Sequence, residues 1–122
     1  MTIINSVLIA NRGEIAIRIS KTLNEMGIKA YGIYSKDDSS SAHLSYCSEV
    51  FELNGTGPSA YLNIDEIISL AKSKKIKAVH PGYGFLSENH AFAASCAKND
   101  IIFIGPNAVS YTHLTLPTMQ VV

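Results

Sequence analysis

Apolar residues along the chain follow two rhythms. Short, nearly continuous runs at 3–10, 28–34 and 101–104 are rich in isoleucine and bounded by polar or glycine-containing turns. Runs of that length and composition mark strands covered on both faces. Between the first two, Ile15, Ile19, Leu23 and Met26 recur at helical spacing. They predict an amphipathic helix over 14–26 with those four residues as its buried stripe. Gly27 follows as a left-handed cap. Arg18, Lys21 and Glu25 fall on another face, and Glu14 stands four residues before Arg18, the spacing of a favourable ion pair. A second stripe, Ile64, Ile67, Ile68 and Ala71, predicts a helix opened by Asn63, which makes a cap-like pair with Glu66. Asp65 in its first turn and Lys72, Lys74 and Lys75 at its end match the helix dipole. Shorter apolar runs predict a third strand at 49–53 and a fourth ending at 78–80. An alanine-rich segment up to residue 98 predicts a last helix, 42–46 a short one, and 35–41 and 54–59 read as loops.

Strands and helices alternate with short connections, which implies a parallel sheet with helices on both faces. Right-handed crossovers leave few ways to wind it. The expected fold class is α/β: a Rossmann-like three-layer sandwich whose mostly parallel sheet has about five strands. At 122 residues the chain holds one domain with its own core. Ten basic and ten acidic residues cancel, so no surplus of positive charge argues for nucleic acid or a membrane surface as partner. The opening Met-Thr-Ile-Ile-Asn-Ser lacks the basic-then-apolar order of a secretory signal, and the apolar run at 7–10 is far too short to span a membrane. Cys47 and Cys96 stand among apolar residues at no metal-type spacing. That favours buried, reduced thiols in a cytosolic-type compartment over a disulfide or a metal site.

One stretch stands apart. After the fourth strand comes His80-Pro81-Gly82-Tyr83-Gly84-Phe85-Leu86-Ser87-Glu88-Asn89. Its two glycines permit positive φ and close backbone approach, and Pro81 withholds a further strand hydrogen bond. Ser87 is placed to cap the next helix, and Glu88 favours the positive end of that helix. In open α/β sheets such strand ends are where ligands bind. The turn after the first strand, Asn11-Arg12-Gly13-Glu14-Ile15-Ala16, holds one glycine and so misses the dinucleotide-binding pattern. Asp37 and Asp38 stand where a ribose-binding acid belongs, a weak signal without the glycines. His80, at a strand end, reads as a structural hydrogen-bonding residue. His43, His90 and His113 share no ligand spacing with it, so no metal site is expected.

The ten-residue stretch resembles a loop in the N-terminal domain of the biotin carboxylases, the ATP-dependent half of the biotin-dependent carboxylases. Ala10-Asn11-Arg12-Gly13-Glu14-Ile15-Ala16 is similar to that family's opening loop, Phe103-Ile104-Gly105-Pro106 to the end of its last strand in this domain, and Tyr61-Leu62-Asn63-Ile64 more weakly to a fourth segment. The segments keep the family's order and spacing from Ile4 to Asn107. The resemblance therefore implies a pre-ATP-grasp domain at 1–107. Residues 108–122 carry neither a helical period nor a charge. The family continues there into a helix and a Gly-Asp-Lys segment whose lysine contacts ATP. The tail reads as foreign to the family, from a frameshift, a gene-model error or a vector-derived extension; the alternative is a divergent end with no ligand role.

The resemblance implies that the intact enzyme uses ATP and magnesium to activate bicarbonate and then carboxylates biotin on a biotin carboxyl carrier protein. Tyr83 and Gly84 would face the biotin, partly through backbone groups. Arg18, with Lys21 as a weaker match, would lie near a homodimer contact. The remaining ATP-grasp domains are implied as partners. No catalytic residue is expected here: the chain has two arginines and no phosphate-cradling loop. By itself it is expected to be inactive and to bind none of the cofactors tightly. The expected compartment is cytoplasmic, or mitochondrial where a targeting segment has been lost. The alternative is a stand-alone nucleotide-binding or carboxylase-assembly module, with a dinucleotide-binding protein third. The final carboxyl acceptor is set elsewhere and is not legible in these residues.

Overall fold

The structure is a computed structural model, and it describes residues 4–105 apart from Tyr83, Phe85 and Glu88. The elements are β1 (Ser6–Ile9), α1 (Gly13–Glu25), β2 (Lys29–Tyr34), a 3-10 turn (Ala42–Tyr46), β3 (Glu49–Glu52), a second 3-10 turn (Pro58–Leu62), α2 (Ile64–Ser73), β4 (Ala78–His80), α3 (His90–Lys98) and β5 (Ile102–Phe103). The five strands form one parallel sheet in the order β3-β2-β1-β4-β5. This is the expected Rossmann-like α/β arrangement. No helix among the described residues is long and apolar enough to cross a membrane.

The core grows from β1. Its residues alternate between two apolar layers, as strand side chains must. Val7 and Ile9 join Ala16, Ile19 and Leu23 of α1 with Ala30 and Ala78. Leu8 and, just past the strand, Ala10 join Ile67, Ile68 and Ala71 of α2, Phe92 and Cys96 of α3, Ile33 and Val79 from the other strands, and Leu53 just after β3. Leu8 and Ile9 are wholly buried, each contributing about 2 kcal/mol of apolar burial. On β2, Gly32 lies so close to the Cys47 thiol that an added Cβ would stand 2.7 Å from its Sγ.

Local capping differs from the sequence expectation in instructive ways. Gly27 caps α1 at φ +76°, and Ile28 N–H donates to the Leu23 carbonyl. The stripe of α1 is rotated, however. Its buried residues are Ala16, Ile19, Ser20 and Leu23, while Met26 is 65% exposed. Ser20 is tolerated in the interior because its hydroxyl donates back to the Ala16 carbonyl at 2.8 Å. Asn63 caps α2 as expected, accepting from Glu66 N–H at 3.1 Å. The Glu66 carboxylate does not reach back to complete a capping box. It accepts from Asn54 N–H at 2.8 Å and so ties α2 to the loop after β3. Before α3, Asn89 supplies the cap by accepting from Phe92 N–H. Ser87, the expected cap, lies in the preceding turn, where its N–H donates to the Gly84 carbonyl.

The two capping assignments separate experimentally. Asn89→Ala is expected to lower stability by about 1 kcal/mol, and Ser87→Ala by less than about half of that, both read from urea midpoints. The reverse order would return the cap to Ser87.

Candidate functional site

The strand order places a topological switch between β1 and β4. From β1 the chain proceeds to β2 and β3 on one side; from β4 it proceeds to β5 on the other. Loops after the two central strands therefore part and leave a crevice at the carboxyl edge of the sheet. Parallel pairing runs one step past β1, with Ala10 N–H donating to the His80 carbonyl at 2.9 Å.

Asn11 then joins the two loops. It is 2% exposed. Its Nδ2 donates to the Pro81 carbonyl at 2.7 Å, and its Oδ1 accepts from Arg12 N–H at 2.7 Å. Gly82, at φ +68°, lies flat against this amide: a Cβ there would stand 2.8 Å from Asn11 Nδ2. The imidazole of His80 adds a further tie, its Nδ1 accepting from Gly82 N–H at 3.1 Å. That bond fixes the neutral tautomer with its proton on Nε2, and burial pushes the imidazole below its ordinary value. Gly84 is different. It has φ +67° but nothing within 4 Å of a Cβ, so it faces open space. Tyr83, its expected companion, lies outside the described residues.

A second network fills the crevice on the β2 side. Arg12 Nε and Nη2 donate to Asp38 Oδ2 and Oδ1 at 2.7 and 3.0 Å, a two-pronged ion pair. Tyr61 Oη donates to Asp38 Oδ2 at 2.8 Å and itself accepts from Ser35 N–H. Asp37 accepts from the Ser35 hydroxyl at 2.7 Å and from Gly57 N–H at 3.0 Å. The Arg12 guanidinium, opposed by burial and aided by Tyr61, holds the Asp38 carboxyl below the usual range. Gly57 N–H and the Ser35 hydroxyl do the same for Asp37. Asp38 in turn raises Arg12. The cleft among these groups measures about 270 Å³. Both acids are thus committed to loop structure, and a ribose contact from either would have to displace Arg12, Tyr61 or Gly57. Among the described residues Glu14 and Arg18 make no ion pair; the ion pair near the start of α1 is that of Arg12 with Asp38.

Arg18 and Lys21 are exposed on α1 but leave it in different directions. Lys21 Nζ stands 5.4 Å from the centre of the Tyr46 ring, while Arg18 borders an apolar groove on the other flank. Neither borders the cleft of Arg12 and Asp38. Among the described residues no three of His, Cys, Asp and Glu gather into a metal-holding group. Cys47 and Cys96 are unpaired thiols, and burial pushes Cys96 up to about 11.

Known proteins resemble this arrangement closely. The family described as biotin carboxylase, N-terminal domain, matches residues 3–110. The chain belongs to this family. It is 50% identical over 108 residues to Bacillus subtilis pyruvate carboxylase, covering 86% of this chain and 9% of that protein. It is 48% identical over 102 residues to Bacillus subtilis biotin carboxylase 2, covering 83% of this chain and 23% of that protein. Among solved structures, the biotin carboxylase domain dimer of Hydrogenobacter thermophilus 2-oxoglutarate carboxylase, in complex with MgADP, ADP and bicarbonate, superposes with a TM-score of 0.84 at 39% identity. That match covers 88% of this chain and 24% of the other. The chain therefore spans less than a quarter of these curated relatives and corresponds to the N-terminal part of a biotin carboxylase domain. The residues that tie the crevice together, Asn11, Arg12 and Tyr61, all fall inside segments that carry the family resemblance, although their partners were not readable from the sequence.

Two outcomes follow from the site. Asn11→Ala leaves the Pro81 carbonyl without this donor and is expected to cost about 2 kcal/mol in a urea titration; a loss under about half a kcal/mol would show that the loops hold together without it. The second concerns pH. His43 is wholly buried, with Nε2 toward the Ile33 carbonyl and Nδ1 against the Ser41 hydroxyl. Burial lowers it below the ordinary 6.5, as it does His80. The unfolded chain takes up protons below that pH that the folded chain refuses, so stability is full above it and falls as the pH drops toward the lowered values. Asp37 and Asp38 act later, their contribution being lost only as the pH falls below 3.8. Urea midpoints should decline from pH 7 to pH 5, with a smaller decline in His43→Gln; a rise over that interval would reverse the assignment.

Proposed function

We propose that this chain is the N-terminal part of an enzyme that, when whole, uses ATP, magnesium and bicarbonate to carboxylate biotin on a biotin carboxyl carrier protein. The observation that carries the reading is the loop after β4. Asn11 and His80 pin its first half, and Gly84 is left open at the switch point. Biotin's ureido ring is planar and neutral, so it suits a shaped backbone better than a charged side chain. Tyr83 and Gly84 are the residues that position it in this reading.

Activation of bicarbonate needs concentrated positive charge and a metal to stabilise the transferring phosphoryl group. The residues here do not fit that task. Arg12 is spent on Asp38, and the described acids form no metal-holding group. ATP and magnesium accordingly belong to the ATP-grasp portion that the longer relatives carry, and the chain alone is inactive. A homodimer contact involving Arg18 and Lys21 is part of the same reading. It is supported by their exposure on one helix and by the solved dimer of the Hydrogenobacter relative. The two unpaired thiols fit a reducing compartment, cytoplasmic or mitochondrial.

The test joins residues 1–105 to the remainder of Bacillus subtilis biotin carboxylase 2 and measures bicarbonate-dependent ADP release with free biotin. The hybrid should turn over and the 122-residue chain should not. Gly84→Ala forces a side chain into left-handed backbone at about 1–2 kcal/mol. It should raise the KM for biotin about tenfold while the KM for ATP stays within about twofold. A folded but inactive hybrid, or an equal effect on both KM values, would overturn the reading.

A further inference from the structure

An asparagine side chain is open to attack by the peptide nitrogen that follows it, and a following glycine has no Cβ to shield that nitrogen. Asn54-Gly55, in the loop between β3 and the Pro58–Leu62 turn, is such a pair, and no other asparagine in the chain precedes glycine. The fold leaves this pair unguarded. Asn54 is exposed. Among the described residues its side-chain amide makes no hydrogen bond, and neither does Gly55 N–H. The ties of this loop lie on either side of the reacting atoms: Asn54 N–H donates to Glu66 Oε2 at 2.8 Å, and the Gly55 carbonyl accepts from Lys36 N–H at 3.0 Å. Elsewhere the amides are committed. Asn11, Asn24 and Asn99 donate theirs to the carbonyls of Pro81, Tyr46 and Ser95. Asn63 and Asn89 cap helices, and Asn5 precedes Ser6, which is buried in β1.

We propose that Asn54 is a site of spontaneous modification, where the chain converts its own amide to aspartate and isoaspartate and so loosens α2 from the loop after β3. The Gly55 nitrogen gives up its proton and attacks the side-chain carbonyl carbon of Asn54. The bond from that carbon to Nδ2 breaks, ammonia leaves with the proton, and a cyclic imide closes. Water then opens the imide at one of its two carbonyls. One opening gives aspartate. The other gives isoaspartate, in which the main chain runs through the former side-chain carbon. Either product adds a negative charge to the residue whose N–H the Glu66 carboxylate accepts. Glu66 has no donor to spare for it, since its Oε1 is already buried without a partner among the described residues, and a second carboxylate there is unfavourable. Isoaspartate also inserts a methylene into the main chain between the tie to Glu66 and the tie to Lys36, so the two no longer hold in register. The same loop supplies Gly57 N–H to Asp37, which carries the disturbance to the cleft of Arg12 and Asp38.

The test ages the 122-residue chain in neutral buffer at physiological temperature. Peptide mass mapping follows the amide-to-acid conversion at each asparagine, and enzymatic methylation of isoaspartate counts that product. Conversion at Asn54 should run at least about tenfold faster than at Asn5, Asn11, Asn24, Asn63, Asn89 or Asn99. Gly55→Ala should slow it at least about tenfold. That variant fits the fold, because its Cβ would stand 3.4 Å from the Ala60 Cβ and Gly55 is not in left-handed backbone. The urea midpoint of the aged chain should fall below that of fresh chain, while Gly55→Ala held for the same time keeps its own. A rate at Asn54 no greater than at the other asparagines would overturn the proposal. So would a midpoint unchanged after conversion, or one that falls equally in Gly55→Ala.

Discussion

The carboxyl edge of the sheet depends on one buried amide. Asn11 offers a donor to the loop after β4 and an acceptor to the loop after β1, both at 2.7 Å. No other common side chain of that length carries both functions without charge. A carboxylate would set oxygen against the Pro81 carbonyl, and an aliphatic residue would leave that buried carbonyl without this donor. Gly82 follows from the same constraint. Because the amide occupies the space where a Cβ would stand, the loop is confined to glycine there on two grounds, contact and φ. Gly84 is glycine on conformational grounds alone, and the asymmetry separates the anchored half of the loop from the half that faces outward.

The architecture was legible because it rests on periodicity. β1 reads as a strand since both of its faces are buried, and α1 reads as a helix since Ile15, Ile19 and Leu23 repeat. The site was less legible because its partners are distant in the chain. Arg12 meets Asp38 and Tyr61 meets Ser35, each 26 residues away, and Asn11 meets Pro81 across 70. Local rules instead pair Arg18 with Glu14 and assign the cap to Ser87, because both choices satisfy spacing. In the fold the ion pair is Arg12 with Asp38 and the cap is Asn89, since those residues sit where the loops deliver them. The loop around Gly84 was recognised by family likeness, while its anchoring by Asn11 could be seen only in three dimensions.

The strand order is the one that cradles a dinucleotide in many proteins, yet the crevice here is closed on the β2 side. The usual ingredients are a glycine-rich turn, a free helix start and an acid at the end of the second strand. In this chain the turn has Arg12, and the acid is Asp38, so the two neutralise each other across the position where a ligand would pass. Tyr61 completes the closure by spending its hydroxyl on the same carboxylate. The topology is retained, and the open part of the crevice lies toward Gly84 on the β4 side. A shared fold therefore says little about the ligand, and the side chains at the strand ends decide it.

Met26 marks the edge of what the described residues bury. A surface helix of a self-contained domain carries an apolar stripe as wide as the layer it sits on. The stripe of α1 runs past its layer, from Ala16 against the sheet to Met26 in solvent. Exposed apolar residues scattered singly carry no message, but a contiguous row bordering a groove does. The same row appears in the sequence as one stripe, Ile15, Ile19, Leu23 and Met26, of which the domain fully buries only Ile19 and Leu23.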